Sequence, residues 1–188
     1  MRSYVCIAAA ILTCSVCSGQ SVSIGGIGGG MLTNDLNDQW VSSVSMRYVI
    51  GPELNIGLPL GFGIEADALY RHESFRTLFV PEQSPRNSWE FPLLLKYRLP
   101  FPLVKPFLEA GYAPRVINGS IGEYASASHG IVIGGGVQFG IGRLHLSPVV
   151  RFTHWNNGGV VLVIPNGPTI QSTQNQVDIL VGIGWKIR

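Results

Sequence analysis

Apolar and polar side chains alternate along much of this chain, most clearly in residues 88–99. Every second residue from Trp89 onward is apolar, with aromatic rings towards both ends and leucines between them. The intervening positions include Glu90, Lys96 and Arg98. Successive side chains of a strand point to opposite faces, so the pattern predicts a strand with one apolar and one mixed, charged face. A half-buried strand of a soluble sheet and a membrane-spanning strand both fit it.

The same alternation predicts eight strands joined alternately by long and short connections. The predicted strands are 22–31, 41–50, 60–71, 88–99, 105–116, 129–139, 143–155 and 176–187. The long connections are 32–40, 72–87, 118–128 and 156–175, and the short ones are 51–57, 100–104 and 140–142. Short periplasmic turns and long outer loops are typical of membrane barrels. The predicted fold is therefore an all-β, eight-stranded antiparallel up-and-down transmembrane β-barrel. Pro92 offers no ladder donor, so we expect a bulge or a local break there.

A soluble ligand-binding barrel of the lipocalin kind would also alternate, with its apolar face inward. Here the other face holds glycine, serine and isolated charges, rather than the dense polar side chains of a solvated surface. The first strand also lacks the Gly-x-Trp opening of lipocalins. Charged residues are 13% of the chain, whereas soluble domains have about a quarter. Together with 24 glycines, these features favour a membrane barrel with a narrow, filled interior.

Residues 1–19 have the organisation of an export signal peptide. Arg2 precedes an uncharged, mostly apolar segment, and small residues follow at 15–19. We expect cleavage near Gly19, which leaves 20–188 as a single outer-membrane β-barrel domain.

The three cysteines, Cys6, Cys14 and Cys17, all lie in this signal. The rest of the chain therefore has no disulfide framework, thiolate metal site or cysteine nucleophile. A lipoprotein signal is the alternative interpretation of Cys14 and Cys17. Thr13 and Val16 precede these cysteines, however, where a lipoprotein signal has a small residue.

Charge and motif content exclude several classes of function. The net charge is +2, which falls by one when Arg2 is removed, and no Lys/Arg cluster indicates nucleic-acid binding. The four histidines are dispersed without metal-ligand spacing. The glycine runs at 25–30 and 134–136 lie in strands rather than at a strand-to-helix junction, so they are not phosphate-binding loops. We expect no cofactor and no metal.

The parity of the strands assigns charged and aromatic residues to the two faces. The charge network predicted inside the lumen comprises Arg47, Glu65, Asp67, Arg71, Glu90, Lys96, Arg98, Glu109, Arg115, Arg151 and Asp178, with Lys105, Arg143 and Lys186 on the same face. The predicted lipid-facing residues are Phe62, Tyr70, Trp89, Phe91, Leu93, Leu95, Tyr97, Tyr112, Phe139, Phe152 and Trp185. Side chains can fill an eight-stranded interior, and an unpaired charge there is costly, so we expect the charges to pair and plug the lumen. A narrow passive channel is the alternative.

Residues 61–70, 89–97 and 105–111 resemble the bacterial outer-membrane β-barrel domain family. The resemblance covers essentially all of 20–188. It implies a protein of the outer membrane of a Gram-negative-type bacterium, surrounded by outer-membrane lipid. That family has no single activity.

The resemblance also implies two kinds of partner. The barrel-assembly machinery would recognise the C-terminal strand, which in such barrels usually ends on an aromatic residue. Here Trp185 and Ile187 keep the alternation, but Arg188 is terminal. An extracellular ligand would bind the long loops, above all 72–87 and 156–175.

Residues 151–158 resemble the motif of outer-membrane lipid A deacylases, in which a histidine is followed two residues later by a nucleophilic serine. His154 matches that histidine, but Asn156 occupies the serine position, and an amide cannot accept the acyl group. The simpler interpretation is a lipid-facing histidine beside an interfacial Trp155.

Two further pairs share a face. Glu65 with Asp67 could act as paired carboxylates, although pairing with inward arginines is the simpler interpretation. His145 with Ser147 could form a nucleophile and base, but both would point into the lumen near its periplasmic end. The sequence therefore predicts a non-enzymatic barrel with a structural or surface-loop binding role. A membrane-embedded lipid A hydrolase, or an inactive relative of one, is the alternative.

Overall fold

The computed structural model describes residues 21–33, 41–77, 80–119, 127–156, 162–163, 169–170 and 174–187. The long strands are β1 (Ser21–Met31), β2 (Val41–Gly57), β3 (Phe62–Asp67 and Leu69–Thr77), β4 (Val80–Glu90 and Leu93–Arg98), β5 (Val104–Gly119), β6 (Ala127–Ile141), β7 (Leu144–Trp155) and β8 (Asn175–Lys186). A 3-10 turn, Pro59–Gly61, joins β2 to β3, and the short strands Leu162–Val163 and Thr169–Ile170 pair with each other. None of the described residues forms a helix long and apolar enough to cross a membrane.

Consecutive strands pair in antiparallel fashion, and β1 also pairs with β8, which closes the sheet. The closing ladder runs from Ser23 opposite Lys186 to Met31 opposite Asp178. Each of the eight strands thus has a hydrogen-bonded neighbour on both sides. Lipid offers no water to satisfy a free strand edge, so closure meets the main requirement of a membrane sheet. The predicted all-β, eight-stranded antiparallel barrel is confirmed.

Gly29 allows β1 and β8 to approach closely at this ladder. A β-carbon at Gly29 would lie only 2.0 Å from the carbonyl oxygen of Ile179. Any larger residue would push the two strands apart where the barrel closes.

The prediction that residues 51–57 form a connection is wrong. They continue β2 and pair with both β1 and β3. Pro52 suggested a turn, but its carbonyl oxygen accepts a hydrogen bond from the Ala68 amide at 3.1 Å. The strand therefore continues past a residue that lacks a donor of its own.

The prediction that residues 72–87 form a long loop is also wrong. They mostly extend the β3–β4 ladder, from His72 opposite Asn87 to Thr77 opposite Val80. Strand pairing provides hydrogen-bond partners for the backbone N–H and C=O groups whatever the side chains are. The ladder can therefore continue into a segment with a polar sequence. The predicted signal, the terminal Arg188, and most of the predicted loops 32–40, 118–128 and 156–175 lie outside the described residues.

The irregularity expected at Pro92 is present, because β4 is interrupted at Phe91 and Pro92. The Pro92 carbonyl accepts from the Asp67 amide at 3.1 Å, and the Phe91 amide donates to the Pro114 carbonyl at 2.9 Å. The two halves of β4 keep the same alternation of faces. At the break, the Phe91 amide and the Pro92 carbonyl therefore keep hydrogen-bond partners, and the side chains on either side keep their inward and outward directions.

The outer surface of the barrel carries a continuous apolar belt. All the residues predicted to face lipid are exposed or half-buried, and Leu95 is 55% exposed. Aromatic rings meet on this surface: the Tyr70 and Trp89 centroids are 5.3 Å apart, and those of Phe62 and Tyr97 are 4.9 Å apart. Aliphatic side chains flanked by rings are the arrangement of a membrane-spanning exterior.

A positive charge in the belt should destabilise the barrel according to its depth. Leu95→Arg should lower the free energy of unfolding in phospholipid vesicles by about 2–4 kcal/mol, because Leu95 lies between the ring levels. The matched change Leu103→Arg should cost about 0–1 kcal/mol, because Leu103 lies in the β4–β5 turn and is 82% exposed. Denaturant titration measures both, and equal losses would contradict a bilayer around Leu95.

Candidate functional site

The lumen of the barrel is filled largely by charged and polar side chains. Nine of the residues assigned to the charge network are buried inside it: Glu65, Asp67, Arg71, Glu90, Lys96, Glu109, Arg115, Arg151 and Asp178. Arg98 is half-buried at the end that carries the short turns. Arg47 is half-buried and donates to the Thr33 carbonyl at 3.4 Å.

Arg151 on β7 is the centre of the first group of ion pairs, and only 2% of it is exposed. Its Nη1 atom donates to Asp67 Oδ2 at 2.7 Å, and its other nitrogens donate to Glu65 and Glu109. The three carboxylates come from β3 and β5, and neither of these strands is a hydrogen-bonded neighbour of β7. One guanidinium therefore links three strands through charge-assisted hydrogen bonds.

Lys96 on β4 supplies the second cation of this group. Its ammonium donates to Glu65 and lies 3.3 Å from Glu109 Oε2. Asn55 on β2 donates to the same Glu65 at 2.7 Å, and its oxygen accepts from Arg98. We call Asn55, Glu65, Asp67, Lys96, Glu109 and Arg151 the Arg151 cluster.

A second group is built on Arg71 of β3, towards the end with the long connections. Its guanidinium binds Glu90 on β4 at 3.0 and 3.2 Å, and Asp178 on β8 at 3.1 and 2.7 Å. Asp178 also accepts from Gln176 at 2.9 Å, and Gln176 accepts from the Trp155 indole at 3.0 Å. Two bidentate contacts from one arginine fix the relative positions of three strands.

The interpretation of Trp155 as an interfacial residue is wrong. Its side chain is fully buried in the lumen, where the Arg115 guanidinium lies 3.9 Å from its ring. Arg115 also donates to the Ser128 hydroxyl at 3.2 Å. Side chains alternate strictly along β7, so Trp155 faces the lumen and His154 faces outward. The His154 ring lies 2.7 Å from Asn175 Oδ1.

Sequence reasoning missed several polar residues of the lumen. Glu53 and Asn55 are buried inside the barrel but fall in the wrongly predicted connection. The alternation of Glu53 and Asn55 with Leu54 and Ile56 is the signal that could have placed them. Gln176 was within a predicted strand, but its contacts depend on partners far away in the chain.

Both candidate catalytic pairs lie on the inner face of the barrel. Glu65 and Asp67 both accept hydrogen bonds from Arg151. His145 and Ser147 are buried on the inner face of β7. No cluster of histidine, cysteine and carboxylate side chains suited to a metal ion occurs in the described ranges.

The structure describes residues 151–156 of the deacylase-like segment. Asn156, at the serine position of the motif, lies on the exposed side of the barrel rim with its Nδ2 atom 3.0 Å from His129 Nε2. The amide is engaged with a second histidine rather than with His154. A side-chain amide at this position does not supply the hydroxyl nucleophile of the motif.

A closed antiparallel barrel with an apolar exterior and a charged interior is the architecture of outer-membrane β-barrel proteins, and it places this chain in the bacterial outer membrane. No family model matches the sequence, and no curated protein sequence matches it.

Solved structures share this fold. The outer membrane protein OprG from Pseudomonas aeruginosa is 12% identical, with a TM-score of 0.60 over 91% of this chain and 97% of OprG. Neisserial surface protein A (NspA) is 14% identical, with a TM-score of 0.54 over 89% of this chain and 97% of NspA. The N-terminal β-barrel domain of P. aeruginosa OprF is 13% identical, with a TM-score of 0.53 over 90% of this chain and all of that domain. At these identities the likeness extends to the fold alone.

Removing the central cation of the Arg151 cluster should destabilise the barrel strongly. Arg151→Gln leaves three buried carboxylates around a neutral side chain, so it should lower the free energy of unfolding by about 3–5 kcal/mol. Denaturant titration of the barrel in detergent or vesicles measures this loss.

Arg143→Gln is the matched control, because Arg143 lies in the exposed β6–β7 turn. This change should lower the free energy of unfolding by no more than about 0.5 kcal/mol. Adding Asp67→Asn to Arg151→Gln should recover part of the lost stability, because Arg151 is the cation that Asp67 pairs with among the described residues. A variant Arg151→Gln as stable as Arg143→Gln would show that the cluster does not hold the barrel together.

Proposed function

We propose that this chain is a small, non-enzymatic outer-membrane barrel whose lumen is plugged by its own ion pairs. The observation that carries the proposal is the way Arg151 and Lys96 meet the same two carboxylates, Glu65 and Glu109, across the lumen. Four side chains that share charge-assisted bonds in an interior of this width leave little room for a continuous water path.

The second group supports the same proposal from the other end of the lumen. Arg71 is held by Glu90 and Asp178, and Trp155 is packed against Arg115 nearby. Both groups are buried, so a solute would have to displace two sets of paired charges in succession. The passive-channel alternative would need both groups to open.

The role proposed for such a plugged barrel is structural, or surface binding through the connections at the long-loop end. Topology supports this, because β1, β3, β5 and β7 all end at the side of the barrel opposite the short turns. Short turns face the periplasm in barrels of this class, so the long connections would face outward. The ladder of β3 and β4 replaces the predicted loop 72–87. It would extend the connection between these two strands above the membrane surface.

Assembly is proposed to follow the usual route for such barrels. Residues 1–19 would direct export and be removed, and the barrel-assembly machinery would recognise β8. Trp185 is exposed on the outer face of β8, and Ile187 lies just beyond its end. This alternation supports recognition even though the chain ends on Arg188.

Planar-bilayer recordings test the plug. The wild-type barrel should give no steady conductance in concentrated KCl. The double change Glu65→Ser and Arg151→Ser removes one acid and one cation from the Arg151 cluster, so it should open a path and raise conductance clearly above that of the wild type. A heat-modifiability gel checks that each variant is folded.

The matched control is Leu95→Ser with Leu108→Ser, because both residues lie on the lipid face of neighbouring strands. Its conductance should stay at the wild-type level. Steady wild-type conductance equal to that of the lumen variant would refute the plug. Loss of acyl chains from lipid A in cells that make the wild-type protein, measured by mass spectrometry, would refute the non-catalytic role.

A further inference from the structure

A cavity of about 470 Å³ opens into the barrel at the end that carries the short turns. Four cationic side chains line it, Arg98, Lys105, Arg143 and Lys186, and no carboxylate from the described residues does. We call this cavity the basic cup. Deeper in the lumen, by contrast, Arg71, Lys96 and Arg151 are each paired with buried carboxylates.

The strand ends bring these cations together. Arg98 is the last residue of β4, Lys105 is near the start of β5, and Lys186 is the last residue of β8. All three occupy inward positions of their strands, and Arg143 lies in the β6–β7 turn. The Lys186 amide donates to the Arg143 carbonyl at 2.8 Å, so the backbone holds these two positive residues side by side. Like charges held in one cavity repel each other, and a bound anion would relieve that repulsion.

The floor of the cup offers a donor that the protein does not use. The Arg98 Nε atom is buried and has no hydrogen-bond partner among the described residues, although the same guanidinium donates to Asn55. A buried N–H group without an acceptor is costly, so the Arg98 side chain would gain from a movement that brings this group to a ligand oxygen in the cup.

His145 forms part of the wall, in space that Gly184 leaves open. A β-carbon on Gly184 would lie 2.3 Å from His145 Nε2, so only glycine permits this ring position. The cup therefore combines cations, an unused guanidinium donor and an imidazole around one space, which is the donor set that phosphate oxygens require.

The size and surroundings of the cup define its ligand further. Its volume lies within the range of about 300–1,000 Å³ in which proteins hold small organic ligands. Leu103 in the β4–β5 turn and Ile141 at the end of β6 are 82% and 80% exposed beside it. An apolar rim next to a cationic cavity also suits a phospholipid whose headgroup enters the cup.

We propose that the basic cup binds phosphate esters, supplied either by a small soluble molecule or by the headgroup of an anionic phospholipid in the inner leaflet. The phosphate oxygens accept hydrogen bonds from Arg98 and from the cations at the rim. The cup meets the proposed plug at Asn55, which is the one member of the Arg151 cluster that lines it, and the variants used below leave Asn55 unchanged.

Calorimetric titration of the folded barrel in a phosphate-free maltoside detergent tests the site. One arm uses inorganic pyrophosphate, and the other uses dihexanoyl phosphatidylglycerol with dihexanoyl phosphatidylcholine as the zwitterionic comparison. Saturable binding of pyrophosphate identifies soluble phosphate as a source, and binding of the phosphatidylglycerol but not the phosphatidylcholine identifies the lipid. Arg143→Gln with Lys186→Gln should weaken whichever binding is seen about tenfold or more.

The matched control is Arg76→Gln with Arg86→Gln, which removes the same charge from the β3–β4 ladder at the opposite end of the barrel. It should change the affinity by no more than about twofold, because charges at the far end of the barrel lie beyond the screening length. If the cup double variant does not give a heat-modifiable barrel, the single change Lys105→Gln should weaken binding in the same direction. The proposal fails if neither probe binds saturably, or if the cup and control variants weaken binding equally. A wild-type barrel that conducts ions would refute the plug without affecting this result.

Discussion

The structure depends on the ladder between β1 and β8, because it removes the last free edges of the sheet. An unsatisfied backbone amide or carbonyl costs several kcal/mol in hydrocarbon, so an open sheet could not span the membrane. Closure with eight strands also fixes the width of the barrel, and side chains fill an interior of that width. The apolar belt, the charged lumen and the close approach at Gly29 all follow from this closure.

The charged interior limits how the strands can be aligned. Arg151 joins β7 to β3 and β5, and Arg71 joins β3 to β4 and β8, so a strand shifted by one residue would turn these charges towards lipid. Buried ion pairs add little net stability over apolar packing, but breaking one leaves an uncompensated charge. We therefore regard the pairs as fixing register more than adding stability. The basic cup differs, because no ion pair joins its cations directly to a carboxylate among the described residues, and it is there that we propose a ligand binds.

The alternation of residues such as Leu93, Leu95 and Lys96 predicted most of the strands, because period two is a local property, and the number of strands then predicted the barrel. It failed at 51–57 and 72–87, where Pro52 and polar side chains suggested turns although backbone pairing continues. It could not predict that Arg151 meets Glu65, 86 positions away, because that contact depends on the order of strands around the barrel. The buried Trp155 was mistaken for an interfacial ring because residue type was given more weight than parity.

The central claim, that the face of Trp89 and Leu95 contacts lipid while that of Glu90 and Lys96 lines a closed lumen, can be measured directly. Residues 20–188 contain no cysteine, so single cysteines at 89–97 can be spin-labelled without background. In vesicles, labels at 89, 91, 93 and 95 should collide strongly with oxygen and weakly with a water-soluble nickel complex. Labels at 90, 94 and 96 should be protected from both. Strong nickel accessibility at 91, 93 and 95 would contradict the account, because it would place water where it requires lipid.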